Sequence, residues 1–308
     1  MYPGTVLVLS MFLIGLFSCA PRTKIKEENP LATVTEKYAD AKPTGLRRKI
    51  AVVEFENKTA YGKGRLGTSC ADILTTELGK SNKFILVERE KMDALLKEKR
   101  LQESGAFTPD ELAVNGKLLG LNAIVTGSIS QFGVKTEGTD LLLYEGKKQI
   151  AEVTVDLRIV DVGTGKIIWT EAGKGQAIKK VSTVVGLGGR AGYDETLEGD
   201  ALRAAIVKFV KNIIKRIDET IWSCYVAEVD NDKIYLDAGK ESNLELGTKL
   251  KVVRPGKTIT SPQTGLVIGT TEEPIGEIKV IEYFGDNGSI AKYISGSMPV
   301  KGDICKFK

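Results

Sequence analysis

The sequence predicts an α+β protein: an α/β domain with extended β-hairpin excursions, followed by a small all-β, barrel-like domain. In the first part, short apolar runs typical of buried strands alternate with apolar residues at helical spacing. After Trp222 the helical spacing stops, and short strand candidates separated by turn residues continue. The 308 residues suffice for two domains with separate cores. We expect a signal peptide at 1–18, a flexible tether at 19–48, the α/β domain at 49–222 and the all-β domain at 223–308.

Composition argues against an enzyme and against a nucleic-acid partner. The net charge is only +4, with acidic and basic residues interspersed. The chain has no histidine, which removes Ser-His and Cys-His catalysis, and its four cysteines form no C-x-x-C pair. The carboxylates Asp194, Glu195 and Glu198 cluster without a partner base, which is typical of a solvated face. We therefore predict no catalytic residue, no metal and no cofactor.

The first residues predict export and a lipid anchor. Residues 6–17 are apolar, about as long as a signal-peptide core and too short to span a bilayer. The run ends in Leu16-Phe17-Ser18-Cys19, which resembles a bacterial lipobox, where the cysteine is acylated with palmitate-type chains. By resemblance to Gram-negative sorting rules, Ala20 favours the periplasmic face of the outer membrane. A plain secretory signal, or an N-terminal anchor helix with an incidental cysteine, are the alternatives at Cys19.

Short apolar runs and helical spacings define the elements of the α/β domain. Residues 50–53, 84–87 and 123–129 are predicted as strands, the first two buried. Helices are predicted over 70–78 with Gly79 as C-cap, around 92–96, and from the capping box Thr108-Pro109-Asp110-Glu111. Alternation over 153–160, with a turn at Gly163-Thr164-Gly165 and a partner at 166–171, predicts a hairpin. An apolar stripe from Leu202 to Ile221 predicts a long last helix.

Two segments are left over, residues 132–149 and 174–199. Excursions of this length are usually functional or disordered. The second contains a glycine-rich tip with apolar residues, for which we predict contact with a membrane or with a ring interface: Val184, Val185, Leu187, Gly188 and Gly189.

Several separated motifs now form a recognisable set. They are Ala51-Val52-Val53-Glu54-Phe55-Glu56-Asn57, Phe84-Ile85-Leu86-Val87-Glu88-Arg89, Val125-Thr126-Gly127-Ser128-Ile129 and Leu157-Arg158-Ile159-Val160-Asp161 with Gly163-Thr164-Gly165. Their order and spacing resemble the curli production assembly/transport component (CsgG) family over residues 49–222. The lipoprotein start fits the same family.

The resemblance implies a homo-oligomeric ring of lipoprotein subunits with a secreted or envelope protein as partner. Each subunit would contribute two β-hairpins, here from the two excursions, and a constriction loop after the first strand, here residues 56–66. This loop offers only Asn57 and Tyr61 where the curli protein has two aromatics and an asparagine. Curlin-type gating is therefore not predicted. The excursions are rich in charge, so a soluble hairpin and a mobile loop are the alternative to a pore.

Turn signals divide the C-terminal domain into seven strand candidates: 225–229, 233–237, 249–253, 266–268, 275–283, 289–293 and 303–307. The stretches 238–247, Val253-Arg254-Pro255-Gly256 and 299–303 resemble the C-terminal domain of flagellar assembly protein T, a binding or packing module. Cys224 and Cys305 bracket the domain. If the first and last strands pair, these two residues come together, and the oxidising conditions that an exported protein meets permit a disulfide between them; two half-buried thiols are the alternative. Cys70 is interpreted as a core residue.

The sequence thus predicts an outer-membrane lipoprotein that acts in assembly or transport by homo-oligomerisation. The alternative is a periplasmic scaffold lipoprotein without a pore, associated with flagellar or envelope structures.

Overall fold

The structure, a computed structural model, describes residues 23–24, 45–62, 64–88, 119–141, 144–184, 196–263 and 267–307. The second and third predicted helices of the α/β domain lie outside these ranges. So do Cys19 and residues 185–189 of the predicted tip. The prediction of a mixed α/β part followed by an all-β part is confirmed.

A mixed sheet forms the first part. Its strands are β1 (Thr23–Lys24), β2 (Arg48–Val52), β3 (Glu56–Asn57), β4 (Phe84–Val87), β5 (Ala123–Leu141), β6 (Tyr144–Asp161) and β7 (Ile167–Val184). Their order is β1-β7-β6-β5-β2-β4, and β3 pairs with β5. β2 lies parallel to β4 and β5, whereas β5, β6 and β7 are antiparallel. β4 is an edge strand with only Phe84 fully buried, so the prediction of a buried strand there was wrong.

Among the described residues, two helices pack on this sheet, α1 (Arg65–Lys80) and α2 (Thr196–Asp218). Their apolar stripes face the sheet and join its core cluster, as helical spacing requires. α1 continues past the predicted C-cap Gly79; Ser81 caps it, and Asn82 takes the left-handed conformation at φ 51°. Ile221 lies beyond α2 and is 67% exposed, so it does not belong to the predicted stripe. Within the described residues, neither helix is long and apolar enough to cross a membrane.

Glycines let the chain after β2 approach its neighbours closely. A Cβ on Gly127 of β5 would lie 2.1 Å from the Asp156 carbonyl oxygen and 2.5 Å from the buried ring of Phe55. A Cβ on Gly67 of α1 would lie 1.9 Å from the Phe55 carbonyl oxygen. Both glycines are therefore required by backbone proximity, because any side chain would collide with backbone that cannot move independently.

In its described residues, the second part contains six strands: β8 (Ser223–Asp230), β9 (Lys233–Leu236), β10 (Lys249–Thr260), β11 (Val267–Phe284), β12 (Gly288–Gly296) and β13 (Ile304–Lys306). They close in the order β10-β11-β12-β9-β8-β13 around a separate core. Two predicted strands merge into β11. Pro255 and Gly256, predicted as a turn, lie within β10 at a register shift, where a residue without an N–H is tolerated.

The segment before β2 binds both parts together. The Arg47 N–H donates to the Ser242 carbonyl (2.9 Å), and the Trp222 indole N–H donates to the Arg47 carbonyl (3.0 Å). Lys49 of β2 pairs with Asp237 beyond β9 at 3.3 Å. Arg48 reaches Asp218 at 3.2 Å, and burial lowers the pKa of its guanidinium. Arg47, which the sequence assigned to the tether, thus fixes the two parts against each other together with Lys49 of β2.

Tyr225 of β8 lies at the same junction. Its N–H donates to an Asp237 carboxylate oxygen at 2.7 Å. Burial, reinforced by Asp237 and Asp161, raises the pKa of the Tyr225 phenol to about 12 from an ordinary value of 10. The folded protein therefore favours the neutral phenol.

Replacement of Gly127 by alanine should destabilise the protein by at least about 2 kcal/mol, because the added methyl group has no space. Gly133→Ala on the same strand is the matched control, since a Cβ there meets no atom within 4 Å. It should change the free energy of unfolding by less than about 0.5 kcal/mol. Urea unfolding of both full-length variants measures this, and equal losses would contradict the packing described.

Stability should fall as the pH rises from about 10 to about 12, the interval between the ordinary and folded pKa of Tyr225. A raised folded pKa contributes stability that is complete below the unfolded pKa and is lost above it. Tyr225→Phe cannot ionise and should lose less stability over this interval in urea unfolding. Tyr283→Phe, at an exposed position, should follow the unmodified protein. A Tyr225→Phe profile identical to that of Tyr283→Phe would refute the assignment.

Candidate functional site

The loop that follows β3 is folded on itself. We call residues 57–62 the β3 loop. The Asn57 side-chain amide donates to the Tyr61 carbonyl at 2.7 Å, and its oxygen accepts from the Thr59 N–H at 3.0 Å and hydroxyl at 2.7 Å. The Lys58 N–H donates to the Ile129 carbonyl on β5 at 3.0 Å. Asn57 therefore organises the loop internally, as asparagine does in tight turns.

Tyr61 fastens the β3 loop to the sheet. Its ring stacks on Phe132 of β5 with centroids 4.5 Å apart and planes inclined by 26°. Phe132 faces the core side because β5 carries a bulge between Ile129 and Gln131. The extra residue, Ser130, inverts the alternation of side chains, so Gln131 points away and Phe132 points inward. Without the bulge this aromatic pair could not form.

A buried carboxylate completes the attachment. Glu198, in the first turn of α2, is 5% exposed. One of its oxygens accepts from the Tyr61 hydroxyl at 2.8 Å, and the other accepts from the Arg65 guanidinium at 2.8 Å. The carboxylate also lies where the N-terminal end of a helix favours negative charge. Glu198 thus joins the β3 loop, the start of α1 and the start of α2.

Sequence reasoning missed this role. Glu198 was interpreted as part of a solvated acidic face, and the structure shows that this was wrong. The available signal was its place in the first turn of an amphipathic helix, next to the buried Leu197. Arg65 and Phe132 carried no sequence signal, since both owe their place to the approach of distant segments. Asn57 and Tyr61, predicted together, do lie together.

A second helix-to-helix contact supports the site. Glu77 of α1 is 3% exposed and pairs with Lys80 at 2.9 Å and with Arg203 of α2. Because both helices are tied to each other as well as to the β3 loop, the loop has a rigid support. The arrangement positions the backbone and side chains of the β3 loop around the Glu198 carboxylate.

The three antiparallel strands continue beyond the core. Among the described residues, the first core cluster reaches Ala151 on β6 and Ala177 on β7, with Val134 of β5 packed against it. Beyond the next paired position, formed by Lys135, Ile150 and Ile178, strand pairing continues for six more residues on each strand, or roughly 20 Å. We call this part the sheet extension; it comprises Thr136–Leu141, Tyr144–Gln149 and Lys179–Val184. The first excursion is therefore a hairpin continuous with the core sheet.

The remaining predicted residues are distributed as follows. Val184 is the last residue of β7, at the far end of the sheet extension. Cys224 and Cys305 are direct partners on β8 and β13, and both are free, buried thiols. Cys70 is fully buried in the first core, where burial raises the pKa of its thiol, so its interpretation as a core residue is confirmed. Cys19, Val185, Leu187, Gly188 and Gly189 lie outside the described residues.

The sequence comparisons show that the chain belongs to the CsgG family. Residues 31–243 match the family described as curli production assembly/transport component CsgG. A Neisseria meningitidis serogroup B protein named "Putative lipoprotein" is 32% identical over 233 residues, covering 71% of this chain and 96% of the relative. The CsgG protein of Salmonella typhimurium is 24% identical over 253 residues, covering 75% and 86%.

Among solved structures, lipoprotein GNA1162 of Neisseria meningitidis matches 56% of this chain and 99% of its own, with 15% identity and a TM-score of 0.33. The family assignment therefore depends on the sequence matches and not on this structural similarity. The family match ends at residue 243, so most of the C-terminal part lies beyond it. The resemblance of that part to flagellar assembly protein T is not supported by these matches and stays a prediction.

Glu198→Gln should loosen the β3 loop, because it removes the charge that Arg65 pairs with and weakens the acceptor for Tyr61. We expect a loss of about 1–2 kcal/mol in the free energy of unfolding. Hydrogen exchange at residues 57–62 should become faster. Glu219→Gln, which breaks an exposed pair with Arg216, is the control and should cost less than about 0.5 kcal/mol. Unchanged exchange in Glu198→Gln would contradict the attachment.

Proposed function

We propose that this chain is an outer-membrane lipoprotein, anchored through Cys19, whose homo-oligomer serves as an assembly or transport component of the cell envelope. The family match carries the proposal, since relatives over most of the chain are named as a lipoprotein or as a curli assembly/transport component. The lipobox-like Leu16-Phe17-Ser18-Cys19 supports the anchor. The fold contributes a positioned loop and an extended sheet, which serve binding and assembly rather than catalysis.

The sheet extension supports assembly by strand contacts between copies. Among the described strands, β5 pairs only with β6 in this part, so its other edge offers unpaired backbone groups. On the opposite side, β1 covers β7 at only two positions, Lys179 and Ile178. Within the described residues the sheet therefore has two open edges, which are suited to head-to-tail contacts that close into a ring.

In such a ring, the β3 loop would line the opening. Asn57 closes the loop on itself, and Tyr61 is held from two sides by Phe132 and Glu198. A loop held in this way supports an opening of constant width. It does not support gating by loop movement, in agreement with the absence of the curli-type aromatic pair.

One observation favours the alternative, a periplasmic scaffold lipoprotein without a pore. On one face of the three-stranded sheet, Lys148 pairs with Glu137 at 3.2 Å and Lys135 pairs with Glu152 at 4.0 Å. Gln176 donates to Glu152 at 2.7 Å on the same face. Charged pairs at these exposures suit water and are costly against lipid.

Native protein extracted in mild detergent should carry acyl chains on Cys19 as the new N-terminus, visible by intact mass spectrometry. Cys19→Ser should lose the lipid mass and leave the membrane fraction, because the fold itself would then lack an anchor. Ser18→Ala is the matched control, since it keeps a small residue before Cys19, and it should keep the lipid. Unlipidated, soluble native protein would refute the anchor.

The same preparation separates the two candidate functions. A molar mass of many copies in light scattering, together with ion conductance in a planar bilayer, supports a transport component. A large oligomer or monomer without conductance supports the scaffold.

A further inference from the structure

Two cysteines face each other where the C-terminal barrel closes. Cys224 on β8 and Cys305 on β13 are direct cross-strand partners, and these strands are the first and last of the barrel. The side chains are 3% and 0% exposed. Both thiols are free and buried in the structure.

The register places the two residues at a spacing that suits a disulfide. Two residues to one side, the Val226 N–H donates to the Asp303 carbonyl at 2.9 Å; two residues to the other, the Phe307 N–H donates to the Trp222 carbonyl at 3.2 Å. Because the pattern repeats every two residues, Cys224 and Cys305 also form a hydrogen-bonded pair. Such pairs have Cα atoms about 5.5 Å apart, which lies within the range of disulfides.

Contacts that do not involve the two cysteine side chains hold the short strand β13 in this register. Asp303, just before it, is 1% exposed and accepts two hydrogen bonds from Arg254, both at 2.9 Å, and one from the Val300 N–H at 2.8 Å. On its other side, β13 pairs with β10, where Cys305 lies opposite Val252. The two sulfur atoms therefore remain neighbours whatever their oxidation state.

Other uses of the pair find no support. Among the described residues, no third metal-ligating side chain joins the two thiols, and a structural zinc site needs four ligands. Burial and the neighbouring thiol raise the pKa of Cys224, which removes the thiolate that a reactive cysteine needs in the folded state.

We propose that Cys224 and Cys305 form a disulfide that closes the barrel covalently when the chain folds under oxidising conditions; the structure shows its dithiol form. One thiolate attacks the disulfide of an oxidised dithiol donor and releases one donor thiolate. The second cysteine then attacks the mixed disulfide and releases the other. Two protons leave the cysteines and two electrons pass to the donor. Since the folded thiols are buried, exchange takes place before β13 closes the barrel.

The inference rests on the proposed function in one respect: export brings the chain to a compartment where such an oxidised donor is present. The consequence is stability, because a bond from first to last strand encloses nearly the whole domain and restricts its unfolded chain. A loop of this length is among those for which cross-linking has the largest expected effect.

The test uses the full chain, purified with reductant and refolded in a buffer of oxidised and reduced glutathione. Free thiols are then trapped with N-ethylmaleimide in denaturant and mapped by mass spectrometry. We expect a linked peptide pair containing Cys224 and Cys305, with Cys70 labelled. The thermal midpoint of the oxidised protein should lie about 10 °C or more above that of the reduced protein.

Controls make the result specific. The double variant Cys224→Ala, Cys305→Ala should lose the dependence of the midpoint on reductant, whereas Cys70→Ala should keep it. Labelling of both Cys224 and Cys305 after oxidative refolding, or glutathione adducts in place of the linked pair, overturns the proposal without any variant. A further outcome is a disulfide that forms in vitro and yet is absent from native protein whose thiols are alkylated with N-ethylmaleimide in intact cells. That outcome supports the pairing of Cys224 with Cys305 and counts against the proposed export.

Discussion

The antiparallel pairing of β5 with β6 is the interaction on which the rest of the first part depends. It runs without interruption from Ala123 opposite Asp161 to Leu141 opposite Tyr144, apart from one bulge. The same two strands are buried in the core at one end and form the sheet extension at the other. The direction of the extension is therefore set by core packing, because a paired strand cannot turn without breaking its ladder. The sheet extension therefore has a fixed orientation relative to the core in any contact between copies.

The bulge at Ser130 connects this pairing to the candidate site. By inverting the alternation of β5, it turns Phe132 toward Tyr61, and the β3 loop then meets the start of α2 at Glu198. A buried carboxylate with two donors is costly to separate, since the charge would remain without partners. The β3 loop is thus a fixed structural part of the first part of the molecule.

The two parts of the molecule are joined by direct bonds rather than by a free linker. The segment that leads from the tether into β2 bonds to the C-terminal part through Arg47 and Lys49. Trp222 packs in the core of the second part and donates back to Arg47. The two parts would therefore move together relative to an anchor at the N-terminus. Family membership says least about the C-terminal barrel, because most of it lies beyond the family match. The geometry of its first and last strands suggests that it closes covalently.

Local pattern in the sequence was enough for the order and type of most elements, for the amphipathic helices and for the core position of Cys70, because each depends on periodicity within a few residues. It also placed Asn57 and Tyr61 in one loop and brought Cys224 and Cys305 to the two ends of one domain. Only the tertiary structure decided how far β5, β6 and β7 extend, which way Phe132 points, and that Glu198 is buried. The reason is physical: strand length, the effect of a bulge and the burial of a charge depend on partners far away in the chain, whereas helical and strand periodicity does not.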